Sequence, residues 1–137
     1  MERFRFFSTT ADIGIACSGG DPLELLGNAV TGLTALLVGD LSSAGGKAIL
    51  RKCRWRGDSL ENLLVKLLGE VLHLAYEKRL LVCECRLCLG AEKELAAELT
   101  CRPLTVEPRL DIKAVTYHRL KIRHRLGRYH VRVVLDV

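Results

Sequence analysis

The chain lacks the sequence features that mark membrane proteins, secreted proteins and several large enzyme classes. No apolar run approaches the roughly 18 residues that a membrane-spanning helix needs. The opening stretch MERFRFFSTT carries arginines through its only apolar segment and has no signal-peptide core. The G-x-S-x-G, P-loop and Rossmann glycine motifs are also missing. We therefore expect a soluble, cytoplasmic protein that does not enter membranes and is not itself an enzyme.

Aromatic residues are scarce too, at 5% of the 137 residues, and this bears on how the basic residues are interpreted. The formal net charge is +5, and basic residues alternate along the last predicted strands. This spacing places several on one face: Arg119, Lys121, Arg123, Arg125, Arg128 and Arg132. Such a face suits RNA phosphates or an acidic protein patch, and the alternative is a solvated sheet surface. Base stacking is not expected, because Tyr129 is the one aromatic residue in this hairpin.

Two segments have the leucine spacing of amphipathic helices, within an ordinary globular composition. Asp21 as N-cap, Pro22 at the first helical position and Glu24 in a capping box predict a helix that runs to about Val38. The stretch DSLE, residues 58–61, predicts a second capping box and a helix that runs to about residue 78. We expect a single domain over residues 1–137, long enough to bury a core without disulfides.

Segments with alternating apolar residues surround these helices and predict strands. They comprise a first strand or hairpin between residues 4 and 17, and segments 47–55, 81–89, 95–101, 111–116, 120–125 and 129–135, with a hairpin turn at 126–128. Each amphipathic helix must bury its apolar face against another layer. The sequence therefore predicts an α+β fold in which two amphipathic helices pack on a largely antiparallel sheet.

Six cysteines are present, and three of them, Cys83, Cys85 and Cys88, lie close together after His73. Zinc requires four ligands that converge tetrahedrally, usually from turns. On a strand, Cys83 and Cys85 share one face and Cys88 points to the other, so the three cannot close on one ion. We therefore interpret them as buried, reduced thiols rather than as a metal site.

Two aspartates stand at the ends of apolar strands in distant parts of the chain. Asp12 lies in TTADIGI, and Asp136 ends HVRVVLD, after which Val137 adds an α-carboxylate. If the first and last strands are neighbours, three carboxyl groups gather, and crowded like charges need a cation or hydrogen-bond donors to stay ionised. A hard cation, Ca²⁺ or Mg²⁺, would suit them. The alternative is that Asp12 caps a turn and Asp136 marks a frayed end.

Four blocks of the sequence together resemble the archease family. They are TADIGI (10–15), LENLLVKLLGEVLHL (60–74), IKAVTYHRL (112–120) and the closing VVLDV, in the family's order and at its spacing. The resemblance implies a small α+β protein that assists the RtcB-type RNA-splicing ligase, which joins tRNA exons bearing a 2′,3′-cyclic phosphate and a 5′-hydroxyl. It further implies a chaperone-like activator that promotes the ligase–guanylate intermediate and multiple turnover without catalysis of its own.

The resemblance also implies a calcium site. Its ligands would be the side chains of Asp12 and Asp136 and the terminal carboxylate of Val137. Lys113 would be the working cation beside the metal, and His118 a lesser one. Where the family reads Asp-His before TAD, this chain has Ser8 and Thr9, which removes a carboxylate and an imidazole. The alternative function is an RNA-binding module that uses the basic C-terminal hairpin.

Overall fold

Side-chain caps set where the two helices begin. In the computed structural model, which describes residues 3–40 and 44–137, helix α1 spans Pro22–Val38 and helix α2 spans Leu60–Glu77. The Asp21 carboxylate accepts a hydrogen bond from the backbone N–H of Glu24 at 2.8 Å. This bond satisfies one of the backbone donors that a helix N-terminus leaves without a partner, as predicted for α1.

The capping of α2 differs from the prediction by one residue. The cap is Ser59, whose hydroxyl accepts from the backbone N–H of Asn62 at 3.0 Å. The Asn62 side chain in turn accepts from the backbone N–H of Asp58 at 3.3 Å. The predicted capping box within residues 58–61 is therefore wrong, because Asn62 reaches back in place of Glu61. This leaves the Glu61 carboxylate available for a contact with a distant loop.

The strands that the structure describes pair antiparallel and form two sheets. The first sheet has the order β1-β2-β8-β6, with β7 also paired to β8; its strands are β1 (Phe4–Ser8), β2 (Ile13–Gly19), β6 (Ala114–Val115), β7 (Arg123–Arg125) and β8 (Arg128–Asp136). The second sheet has the order β3-β5-β4; its strands are β3 (Ile49–Arg56), β4 (Leu80–Leu89) and β5 (Glu94–Pro103). Strand β2 therefore lies directly beside the last strand, β8, and β1 lies on the other side of β2.

The core lies between the two helices and both sheets. Helix α1 packs against β2 of the first sheet and β4 of the second, while α2 packs against α1 and β4. The leucines that the helical spacing singled out, such as Leu26, Leu33 and Leu64, are fully buried. The predicted α+β class is confirmed. The strands divide between two sheets because α1 is apolar over much of its circumference and needs cover on two sides. No described helix is both long and apolar enough to span a membrane.

The predicted strands at 111–116 and 120–125 shorten to β6 and β7. Between them the chain turns, with the backbone N–H of Leu120 donating to the carbonyl of Tyr117 at 3.1 Å and Arg119 at a left-handed φ of 52°. Leu120 and Ile122 still pack against the core from this turn. Alternation of apolar and basic residues therefore continues through residues 119–123 without a continuous strand.

Candidate functional site

Small residues form an open strip on the outer face of the first sheet. Successive strand residues point to opposite faces, so Ile15 and Cys17 of β2 enter the core, where both are buried. Gly14, Ala16 and Ser18 face the other way. Because these side chains are short, the outer face of β2 is lower than the side chains of the neighbouring strands. Ala16 and Ser18 line the floor of a cleft there, whereas Gly14 is buried.

Larger side chains of β1 and β8 stand on either side of this floor. Arg5 of β1 is the register partner of Ala16, and Ala16 is the partner of Arg132 of β8. Two strand spacings separate the Cα atoms of these arginines by roughly 10 Å. The Phe7 ring covers Gly14, where an added Cβ would lie 2.7 Å from ring atom Cζ. The Arg132 guanidinium carbon lies 4.1 Å from the centre of the same ring, a cation–π contact.

A third wall comes from the turn that precedes β7. Arg119 and Lys121 line the cleft from this turn, and Arg123, the first residue of β7, continues the wall. The start of α2 holds the segment in place, because the backbone N–H of Ile122 donates to Glu61 Oε2 at 3.0 Å. A neighbouring bond, from Asn62 Nδ2 to the Tyr117 hydroxyl at 2.6 Å, ties the same turn to the helix.

Together these walls enclose a strongly basic cleft of about 710 Å³. We call it the basic cleft; its charged lining comprises five cations and one carboxylate, namely Arg5, Arg119, Lys121, Arg123, Arg132 and Asp12. Among the described residues, none of the five cations lies within ion-pairing distance of a carboxylate. The side chains therefore gather positive charge that the described part of the chain does not neutralise.

Asp12 lies at one end of the basic cleft, on the turn between β1 and β2. The Thr9 hydroxyl closes this turn by accepting from the backbone N–H of Asp12 at 2.9 Å. Thr9, one of the two departures from the family pattern, thus fixes the backbone that carries Asp12. The turn is capped by Thr9 and not by the Asp12 carboxylate, whose Oδ2 lies 4.0 Å from His118 Nε2. That contact is an ion pair only when His118 is protonated.

The predicted neighbourhood of Asp12 and Asp136 follows from the strand register. Ile13 pairs with Leu135, so continuing the antiparallel register by one residue sets Asp12 opposite Asp136. The backbone N–H of Lys113 donates to the Asp136 carbonyl at 2.7 Å. Residues from three distant parts of the sequence therefore meet at one end of the paired strands β2 and β8. We call this the acidic edge: Asp12, Lys113, His118 and Asp136.

The donor atoms of the acidic edge suit a hard cation only in part. Carboxylate oxygens are the ligands that Ca²⁺ and Mg²⁺ prefer, and the register brings two carboxylates together. However, no group of three or more His, Cys, Asp and Glu side chains within residues 3–40 and 44–137 is arranged to hold a metal ion. A cation here would need further oxygens beyond Asp12 and Asp136.

The structure divides the predicted basic face. Arg119, Lys121, Arg123 and Arg132 line the basic cleft, whereas Arg125 and Arg128 are not among its lining residues. The hairpin turn is reduced to two residues, Leu126 and Gly127, both with positive φ. Arg128 is half-buried and contacts the Ser18 hydroxyl at 3.4 Å.

Arg5 and the small floor residues are the part of the cleft that the sequence reasoning missed. The sequence feature that could have indicated the floor is the small residue at every second position of β2: Gly14, Ala16 and Ser18. Small residues form a groove only where larger side chains of the neighbouring strands flank them. Arg5 lies more than a hundred residues before Arg132, and no local pattern links the two. Their proximity depends on the pairing of β1, β2 and β8.

The cysteines behave mainly as predicted. All six are free thiols, with Cys83 and Cys85 half-buried and Cys88 exposed on the opposite face of β4. The prediction of buried thiols is therefore wrong for Cys88, because its side chain faces solvent. Desolvation raises the pKa of Cys17 to about 12 and, as the largest of several causes, that of Cys101 to about 11.

Comparison with known proteins gives a consistent family assignment. Residues 4–137 match the model of the archease protein family (MTH1598/TM1083). The sequence is 31% identical over 142 residues to the protein archease of Sulfurisphaera tokodaii, with 100% of both chains covered. It is 30% identical over 141 residues to the protein archease of Sulfolobus acidocaldarius, again with 100% of both covered.

Solved structures share the fold. The solution structure of protein 1598 of Methanobacterium thermoautotrophicum matches with a TM-score of 0.76 and 25% identity, and the match covers 100% of both chains. The crystal structure of a Thermotoga maritima protein, described as an archease and possible chaperone, matches with a TM-score of 0.62 and 22% identity over 96% of this chain and 94% of that one. The second likeness is one of fold alone.

Proposed function

This chain belongs to the archease family, and on that premise we propose that it is a non-enzymatic, cytoplasmic activator of an RtcB-type RNA ligase in tRNA splicing. One observation carries the proposal. The acidic edge gathers Asp12, Asp136, Lys113 and His118 at one exposed margin of the sheet, and these are the residues that the family resemblance implies. The description of the Thermotoga maritima protein as a possible chaperone agrees with a role exerted on a partner protein.

The charges of the acidic edge suit assistance to a phosphoryl transfer in the partner. Guanylylation of a ligase builds negative charge on phosphoryl oxygens, and a cation held in place beforehand stabilises that charge. The side chains of Lys113 and His118 are exposed and can reach a partner surface. One hydrogen bond, from the backbone N–H of Lys113 to the Asp136 carbonyl, holds the backbone of this lysine at the acidic edge. The nucleophile and the nucleotide belong to the ligase, so this chain supplies charge and position.

A divalent cation would extend the same role. Asp12 and Asp136, with the carboxylate of Val137, would hold Ca²⁺ or Mg²⁺, and the ion would supply further positive charge toward a phosphate. Calcium takes about six to eight oxygen ligands, so water or groups of the ligase must complete its coordination. The ammonium of Lys113 and the imidazole of His118 act in this proposal whether or not the ion is bound.

The test is a reconstituted ligase assay that measures guanylylation separately from the joining of RNA with a 2′,3′-cyclic phosphate and a 5′-hydroxyl. We expect Asp12→Asn, Asp136→Asn and Lys113→Gln each to lower the guanylylation rate by about tenfold or more, since one positioned charge in such a site is worth roughly 10² in rate. Asp58→Asn, an exposed carboxylate outside the acidic edge, is the matched control and should activate normally. Full activation by all three edge variants would remove the acidic edge from the function.

A further inference from the structure

We propose that the basic cleft binds the phosphodiester backbone of single-stranded RNA. The basic cleft adjoins the acidic edge at Asp12, which belongs to both, but the five cations lie outside that edge, and the inference requires neither the ligase nor a divalent ion. Its starting point is the charge of the five cations that line the cleft, none of which lies within ion-pairing distance of a carboxylate of residues 3–40 or 44–137. Crowded like charges repel one another, and an anion that enters the cleft relieves that repulsion while releasing its own counterions.

The arrangement of the cations favours a chain of phosphates over a single anion. Arg5 and Arg132 stand on opposite sides of Ala16, and Lys121 lies on the third wall. The charges are thus distributed along and across the cleft and do not converge on one point. Four of the five cations are arginines, whose planar guanidinium groups bind phosphate oxygens in pairs.

The backbone of the floor argues against an acidic peptide as the occupant. Strand β2 is paired on one side with β1 and on the other with β8, so its N–H and C=O groups are already used in the two ladders. A peptide on this floor would find no main-chain partners in β2, so its own amide groups would lose water there without compensation. A phosphodiester chain has no such groups and needs only the cations.

The aromatic lining argues against recognition of bases. The Arg132 guanidinium covers one face of the Phe7 ring, and ring atoms Cζ and Cε2 lie against Gly14, so this ring already packs within the protein. Binding through phosphates without stacking predicts little sequence preference. Arg5 and Arg132 stand about two strand spacings apart, so one chain of phosphates that lies between them can contact both.

The proposal is tested by fluorescence anisotropy with a labelled single-stranded RNA of roughly a dozen nucleotides, in EDTA and without ligase. If five phosphates are contacted, the logarithm of the affinity should fall with the logarithm of salt at a slope near −3.5, at about 0.7 per contact. The affinity should therefore fall roughly 100-fold between about 0.05 and 0.2 M salt. A duplex of the same sequence should bind far more weakly.

Paired substitutions locate the binding. Arg119→Gln with Lys121→Gln removes two exposed cations, and at about 0.1 M salt it should raise Kd roughly 25-fold and reduce the slope to near −2. Arg5→Gln with Arg132→Gln should do the same from the other walls. The control is Arg125→Gln on the same hairpin, exposed but outside the cleft, which should change Kd by less than about twofold.

A floor substitution tests the cleft without removing any cation. Ala16→Glu places a carboxylate between Arg5 and Arg132 and should abolish binding, whereas the equally large Ala16→Gln should weaken it less. Thermal melts identify any variant that fails to fold, and the exposed Arg119 and Lys121 pair then decides the question.

Three results would overturn the inference: no salt-dependent RNA binding, equal loss in Arg125→Gln, or displacement of RNA by an acidic peptide at lower concentration than by unlabelled RNA. A nucleoside triphosphate that competes as well as RNA would show a small-anion site instead. Because the assay contains no ligase, any of these results leaves the activator proposal standing. Full ligase activation by all three acidic-edge variants, with RNA binding intact, would instead count against that proposal alone.

Discussion

Removal of the Tyr76 hydroxyl should destabilise the protein through the segment that leads to the acidic edge. The hydroxyl of Tyr76, on α2, donates to the Leu110 carbonyl at 2.6 Å and accepts from the backbone N–H of Ile112 at 2.9 Å. Tyr76→Phe removes the acceptor of the Ile112 N–H and the donor to the Leu110 carbonyl. Because Ile112 is buried, its backbone N–H is left without a partner.

The expected cost follows from these two bonds. An unsatisfied buried group costs about 1–3 kcal/mol, and since the site is partly buried, water can replace one of the two partners. We therefore expect a loss of about 2–3 kcal/mol in the free energy of unfolding, and a fall in Tm of about 8–12 °C for a domain of this size. Urea denaturation followed by circular dichroism, with an unchanged m-value, measures the loss.

Tyr117→Phe is the matched control for this measurement. Tyr117 also uses its hydroxyl in one hydrogen bond, to Asn62 at 2.6 Å, but its side chain is 56% exposed. Because water replaces the lost partner there, Tyr117→Phe should cost less than about 0.5 kcal/mol. A loss below about 0.5 kcal/mol in Tyr76→Phe as well would refute the reasoning that the Tyr76 hydroxyl anchors residues 110–112.

The same hydroxyl makes the free energy of unfolding decrease at alkaline pH. Burial, as the largest cause, raises the pKa of Tyr76 above its ordinary value of 10.0, with Asp111 adding to the rise and the bond from Ile112 opposing it. The folded state therefore favours the neutral phenol. Its contribution is fully present below about pH 10 and is lost as pH rises through the folded pKa. Tyr76→Phe should remove this part of the alkaline slope.

Two further predictions concern the hairpin turn and the thiols. Leu126 is 96% exposed and holds a left-handed φ of 53° in a two-residue turn, a backbone conformation that Asn adopts at lower cost. Leu126→Asn should therefore raise the free energy of unfolding by about 0.5–1 kcal/mol in the same denaturation assay. A decrease would contradict the inference that Leu126 is strained. A thiol-reactive reagent at pH 8 should modify the exposed Cys88 first and spare Cys17, whose pKa burial raises to about 12, until the protein unfolds; equal rates at both positions would contradict the burial.

Local signals predicted much of the fold, and they failed where two signals overlapped. The start of α2 contains two overlapping capping motifs, one based on Asp58 and Glu61 and one on Ser59 and Asn62. Asp58 and Ser59 are both favoured N-cap residues, and the structure uses Ser59 with Asn62, although Asn62 is not the Glu or Gln of a capping box. The choice has a functional consequence, because it frees Glu61 to bind the backbone of Ile122. A contact between residues so distant in sequence could not be inferred from either motif.

The candidate sites show a similar division. Proximity of Asp12 and Asp136 could be proposed because both end apolar strands and both fall in blocks that resemble one family. The basic face was predicted from alternation alone, and alternation does not distinguish a strand from the turn that carries Arg119 and Lys121. The position of Arg5 beside Arg132 requires the strand order, which periodicity does not contain.

The most direct test of the activator role is a double-mutant cycle of Asp12→Asn and Asp136→Asn, with ligase guanylylation as the measured rate. If the two carboxylates act together at the acidic edge, the double variant should lose no more activation than the more impaired of the two single variants. Losses that multiply would mean that the two residues act independently, and undiminished activation in the double variant would mean that the edge is not used at all.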